Sequence, residues 1–245
     1  MASLIAEAII CSVRQHGEHG AIVRALTAEH GMVAGYVRGG RSRRLRPILM
    51  AGNGIMLDLR TRTDDQLGSL TVEPLSSRAS LLADPLSTAA MEWLTCLTAA
   101  SLPENQSYPA LYGALSATLD AIDIAAAARQ WAAALARYEM LLLAELGFGL
   151  SLDVCTVTGL ADDLAFVSPK SGCAVSRSAA AGYEAKLFSL PALLLGRGQD
   201  PSLTDVIDAL AITGHFIARD ILVGRARDLL ETRMRLTDRL NRAVA

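Results

Sequence analysis

The chain of 245 residues is short of cysteine, lysine and aromatic side chains, and no apolar run approaches the length of a bilayer span. The four cysteines, Cys11, Cys96, Cys155 and Cys173, form no Cys-x-x-Cys pair, which argues against a disulfide framework and against a complete zinc site. Reduced, mostly buried thiols are expected. The apolar stretches around Trp131–Ala136 and Met140–Ala144 are interrupted by Arg137 and Glu139 well before the ~20 residues a membrane helix needs. The positive mean hydropathy is therefore assigned to Ala and Leu in helices. The apolar N-terminal stretch between Glu7 and Arg14 is too short for a signal peptide, so a cytoplasmic protein with no membrane partner is expected. Of the 23 basic residues only Lys170 and Lys186 are lysines; arginine is the better bidentate partner for phosphate, although a GC-rich genome produces the same bias.

One further absence is local. Between Glu29 and Asp58 there is no acidic residue, and this interval contains Arg38-Gly39-Gly40-Arg41-Ser42-Arg43-Arg44-Leu45-Arg46. Five guanidinium groups in nine positions, in a chain of net charge -2, suit a polyanion, and the two glycines let the backbone follow a phosphate chain. Nucleic acid is the expected partner, although such a run also occurs as a solvated loop without a ligand. Only Tyr36 lies nearby as a stacking ring, so binding is expected to be electrostatic and nearly independent of base sequence.

Short apolar or alternating segments at Leu4–Val13, Ala21–Thr27, Met32–Arg38, Ile55–Arg62 and Leu67–Glu73, separated by turn residues, predict five strands. Five strands in about 70 residues suit an OB-fold β-barrel. After Pro74 the period becomes helical, with stripes over Ser87–Ala100, Pro109–Ile124, Gln130–Leu146, Leu203–Val223 and Arg225–Arg242. The expected fold is α+β: an OB-fold nucleic-acid-binding domain over 1–78 and a mainly helical domain over 79–245. An irregular insert of about 150–191 is rich in Gly, Ser and Thr.

Catalytic constellations are weak. Gly35 to Ser42 approaches a phosphate-loop pattern with Arg41 in place of lysine, but no apolar helical stripe follows it. His16-Gly17-Glu18-His19 reads as a turn between strands, Ser168-Pro169-Lys170-Ser171-Gly172 as a polar turn, and Glu139 and Glu145 point to different helix faces. The arginines between Arg219 and Arg242 outnumber the acidic residues there and offer either a second nucleic-acid contact or a solvated face.

The motif order resembles the RecO family of bacterial recombination mediators, most closely its alphaproteobacterial type. His16-Gly17-Glu18, Leu26-Thr27, His30-Gly31 and Val37-Arg38-Gly39-Gly40-Arg41-Ser42 carry the likeness in the barrel. Tyr138-Glu139, Leu143 to Phe148, Cys155 with Thr158-Gly159, Val167 to Gly172 and Leu190-Pro191 carry it further along. The resemblance implies a non-enzymatic, nucleoid-associated DNA-repair protein of the RecF pathway. Such proteins bind single- and double-stranded DNA and anneal complementary strands. They associate with RecR and bind the acidic tail of the single-stranded-DNA-binding protein, so that RecA is loaded.

The barrel arginines carried over by the resemblance are Arg38 and Arg41; charge alone adds Arg43, Arg44 and Arg46, with Arg60 and Arg62 on the neighbouring strand. For the tail, the candidates are Arg137 beside Tyr138 and Leu141, with Arg129 two turns earlier. Relatives with zinc use two cysteine pairs; here only Cys155 matches, with Thr158, Val175 and Ser178 in the other places, so no metal and no cofactor is expected. The alternative is a helical adaptor for protein partners whose DNA binding is incidental.

Overall fold

The computed structural model describes residues 2–61, 67–125, 127–196, 201–224 and 227–244. Five strands, β1 (Ala2–His16), β2 (Gly20–Thr27), β3 (Gly31–Val37), β4 (Gly54–Thr61) and β5 (Gly68–Ser76), close into a barrel in the order β1-β2-β3-β5-β4. β1 pairs antiparallel with both β2 and β4, and β3 meets β5 in parallel, the connectivity of an OB-like barrel. β1 can serve two partners because a register shift between Ile10 and Ser12 bends it. Period-two alternation sets the faces: Ile55, Leu57 and Leu59 of β4 point inward while Met56, Asp58 and Arg60 point out. Ala8, Ala21 and Ala25 line the same interior as the larger Ile10, Val23, Val33 and Leu70, a mixture of sizes that fills a narrow barrel.

The segment joining β3 to β4 is not a free loop. Leu45 and Leu49 enter the barrel core, with Ile48 packed against it. Two bonds of helical spacing, Arg46 N–H to Ser42 O at 2.9 Å and Leu49 N–H to Leu45 O at 2.9 Å, hold the chain in consecutive turns. No helix follows the arginines; three apolar residues, at positions 45, 48 and 49, face inward from these turns and are too few to register as a period in sequence. Asn53, 2% exposed, fastens this plug: its side-chain amide donates to Pro47 O and Ile48 O, both at 3.0 Å, and its carbonyl accepts Arg78 N–H at 2.8 Å. The turn between β2 and β3 is equally constrained. Gly31 has φ +68°, and a Cβ there would stand 1.7 Å from the Gln106 carbonyl oxygen.

Helix α1 (Pro85–Ser101) starts where Asp84 accepts the Leu86 and Ser87 amides, and it buries Trp93, Leu94 and Leu97. α2 (Pro109–Ile124) buries Leu111, Leu115, Leu119 and Ile122. α3 (Ala128–Glu145) packs on α4 (Leu203–Phe216), which a Ser202–Asp205 capping box opens. Between them the fully buried Glu139 accepts a hydrogen bond from Thr213 Oγ1. The stripe predicted to reach Val223 ends instead at Phe216 in a π-helical turn over Ile217–Ile221, and α5 (Arg227–Val244) follows. The chain forms two compact units, residues 1–123 with 232–236, and residues 124–231 with 237–245.

Residues 150–191 are more ordered than their composition suggests. Strands β6 (Leu164–Val167), β7 (Ala174–Ser176) and β8 (Phe188–Ser189) form a sheet in the order β7-β6-β8. Strands of two to four residues are too short to show a period, which is why the segment looks irregular in sequence. Beside this sheet Cys155, Val175 and Ala180 form a small buried cluster. The Cys155 sulfur accepts Ser176 N–H at 3.2 Å, and the Ser176 and Ser178 hydroxyls lie 3.2 Å apart. A zinc ion needs thiolates or imidazoles in these places, whereas hydroxyls, an amide and a buried valine surround a single sulfur, so the residues present do not fit the metal. Burial pushes the Cys155 thiol up, but donors from Ser176 and Thr158 outweigh it and draw it down from 9.0 to about 6.

Two outcomes are expected. Asn53→Leu strands two carbonyls and one amide away from water and lowers stability by about 2–4 kcal/mol in urea unfolding. For Cys155, a native thiol that ionises more readily than the unfolded one stabilises the fold as pH rises. The stability advantage over Cys155→Ala therefore grows from pH 6 to pH 9, falls back below about 6 to a pH-independent packing remainder, and is insensitive to a zinc chelator.

Candidate nucleic-acid interface

The plug sets out the arginine run along the barrel surface. Arg38, Arg41, Arg43, Arg44 and Arg46 are all exposed, while Leu45 between them is buried. None of the five forms an ion pair with a carboxylate among the described residues. Arg41 is the most fixed: its backbone N–H donates to His19 O at 3.3 Å and its Nη1 to Glu18 O at 3.0 Å, both on the turn between β1 and β2. That turn is the His16–His19 segment read as a turn in the sequence. Gly39, at φ +68°, begins the run, and Gly40 sits against Ala21, where a Cβ would come within 2.8 Å of the Ala21 methyl.

Beside Arg41 and Arg46 the surface opens into a cleft of about 430 Å³, with Val13, Ala21 and Leu49 as its aliphatic lining and Gln15 at the end of β1. Sequence reasoning missed this cleft. Its parts come from β1, β2 and the plug, and only the pairing of Gln15 with Ala21 brings them together.

Arg60 differs from the run. It grips Asp58 on the same outward face of β4, with contacts of 2.7–3.3 Å, and the hydrogen bond to Asp58 raises its already high pKa. Its charge is largely compensated. Arg62 lies outside the described residues. Tyr36 is partly buried, its ring lying over Gly20 and edge-on to His16 at 5.9 Å, so it is engaged in strand packing.

The candidate tail residues separate by face. Arg129 and Arg137 are exposed on α3 and Leu141 is partly exposed, whereas Tyr138, 1% exposed, belongs to the core. Several C-terminal arginines serve the fold. Arg219 pairs with Asp220, donates to Pro169 O and Lys170 O, and lies 4.6 Å over the Phe216 ring. Arg235 donates to Thr232 Oγ1 and Arg242 to Asp238 O. Among the described residues no three His, Cys, Asp or Glu side chains converge as a metal site, and no helix is long and apolar enough to cross a membrane.

The site therefore offers exposed positive charge, unpaired with any carboxylate among the described residues, beside a small cleft.

Comparison with known proteins places this geometry in a family. Residues 1–78 match the family described as Recombination protein O N terminal, and residues 82–227 match Recombination protein O C terminal. A DNA repair protein RecO of Cereibacter sphaeroides is 46% identical over 238 residues, covering 97% of this chain and 98% of the relative. Those of Caulobacter vibrioides and Jannaschia sp. are 41% and 40% identical over 97% and 98% of this chain, and over 97% and 96% of their own lengths. With both halves matched and the barrel and helices in the expected order, the chain belongs to the RecO family of DNA repair proteins.

Proposed function

We propose that the protein is a mediator of DNA repair and homologous recombination in the RecF pathway, acting by binding rather than by catalysis. The barrel arginines Arg38, Arg41, Arg43, Arg44 and Arg46 neutralise the phosphates of single- and double-stranded DNA and let complementary strands meet and anneal. Together with RecR, the protein helps load RecA onto DNA coated by the single-stranded-DNA-binding protein. The acidic, aromatic-ended tail of that protein docks on α3, where Arg129 and Arg137 supply charge, Leu141 supplies apolar contact, and Tyr138 supports the helix from the core side.

The observation that carries this reading is the set of exposed guanidiniums free of internal ion pairs on a braced plug. Internal carboxylates paired with these arginines would have cancelled the field a phosphate chain meets, as Asp58 does for Arg60.

Each phosphate contact releases counterions, so log K should fall linearly with log salt, by about 0.7 per contact on a single strand and 0.9 on a duplex. Arg41→Ala with Arg43→Ala should flatten that slope by about 1.4 on an oligonucleotide. An unaltered slope places the DNA contact elsewhere. Arg137→Glu should weaken an acidic, aromatic-ended peptide at least fivefold in fluorescence anisotropy while leaving oligonucleotide affinity alone. If instead the unaltered protein binds only the peptide, the adaptor alternative replaces this reading.

A further inference from the structure

The cleft beside Arg41 and Arg46 is not needed for phosphate contacts, which exposed arginines make without a cavity. We propose that this cleft holds one unpaired nucleobase, so that the barrel engages single-stranded DNA by a base as well as by its backbone. The inference rests on the DNA-binding reading above and adds to it a ligand for a specific pocket.

Three observations support it. At about 430 Å³ the cleft lies in the lower part of the range of about 300–1,000 Å³ usual for small-molecule sites, right for a nucleotide-sized group. Its lining joins a small aliphatic floor, the partly buried Val13 with the edges of the core residues Ala21 and Leu49, to polar groups at Gln15, Arg41 and Arg46, and a base has the matching character of an apolar face and a hydrogen-bonding edge. Gln15 is the one group of the cleft whose side chain both donates and accepts, as base edges require.

Arg41 supplies the third. With Nη1 committed to Glu18 O, its guanidinium is held in place before any ligand arrives, and a planar guanidinium is a surface on which a base stacks. The same two arginines belong to the phosphate-binding row, so a strand bound along that row carries its bases to the mouth of the cleft. A base in a duplex is paired and stacked and cannot enter. The cleft thus gives this barrel a means of telling a single strand from a duplex that charge alone lacks.

The test compares a thymidine oligonucleotide with a fully abasic one of equal length, which has the same phosphates and no bases. The full-length protein should bind the thymidine strand about 5–20-fold more tightly, corresponding to about 1–2 kcal/mol of stacking, with equal salt slopes for both strands. Gln15→Ala should cut this preference at least threefold and leave binding to the abasic strand and to a duplex unchanged. A 4-thiothymidine strand should photocrosslink to peptides containing residues 13–15 or 40–49.

Equal affinities for the two strands, or a preference undiminished in Gln15→Ala with no crosslink in those peptides, would overturn the base pocket. The phosphate reading would stand in that case, because it fails only if the arginine substitutions leave the salt slope unaltered.

Discussion

A buried amide governs the presentation of charge in this protein. Asn53 binds the backbone at Pro47 and Ile48 on one side and Arg78 on the other, so the plug, the end of the barrel and the chain leaving β5 share one hydrogen-bonded centre. Leu45 and Leu49 supply the apolar half of the same arrangement. Burying two leucines contributes roughly 3–6 kcal/mol, enough to hold a segment whose five like charges repel one another across solvent. Without that anchoring the arginines would be a mobile cloud of charge. With it their backbone is held in a set order, and the Arg41 guanidinium is tied to Glu18 O as well.

This anchoring explains the division of labour among the basic residues. Positions on or next to regular elements tend to find internal partners: Arg60 takes Asp58, Arg78 takes Asp120 and Asp123, and Arg219 takes Asp220 and the carbonyls of Pro169 and Lys170. The plug arginines have no acidic neighbour in sequence from Glu29 to Asp58, and none reaches them through the fold among the described residues. A protein of net charge -2 can thus present a locally unopposed positive field. In the second unit, the buried Cys155 sulfur is held by a polar contact instead, accepting the Ser176 amide.

Much of this architecture was legible in the sequence. Alternation in β4 placed Ile55, Leu57 and Leu59 inside, and the stripe of α3 put Trp131, Leu135, Tyr138, Leu142 and Leu146 on one face, the first four of which are buried while Leu146, at the helix end, is partly exposed. Both signals are periodic and long enough to stand above chance. The strands of residues 164–189 and the plug were not legible, because two to four residues carry no period and because their partners are distant in the chain. The arginine run was visible from composition, yet the cleft was not: its aliphatic lining joins Val13, Ala21 and Leu49, which only strand pairing and the plug bring together. Charge is a local property of sequence, and concavity is not.

The spacing between Arg41 and Leu45 is a mechanical constraint. Since the leucines at 45 and 49 set the phase of the intervening turns, inserting or deleting one residue there would rotate every later guanidinium relative to the barrel and eject a leucine into water. The side chains of Arg43, Arg44 and Arg46 face solvent and take no part in that phasing, so the frame depends on the length of the segment and the charge on what the frame displays.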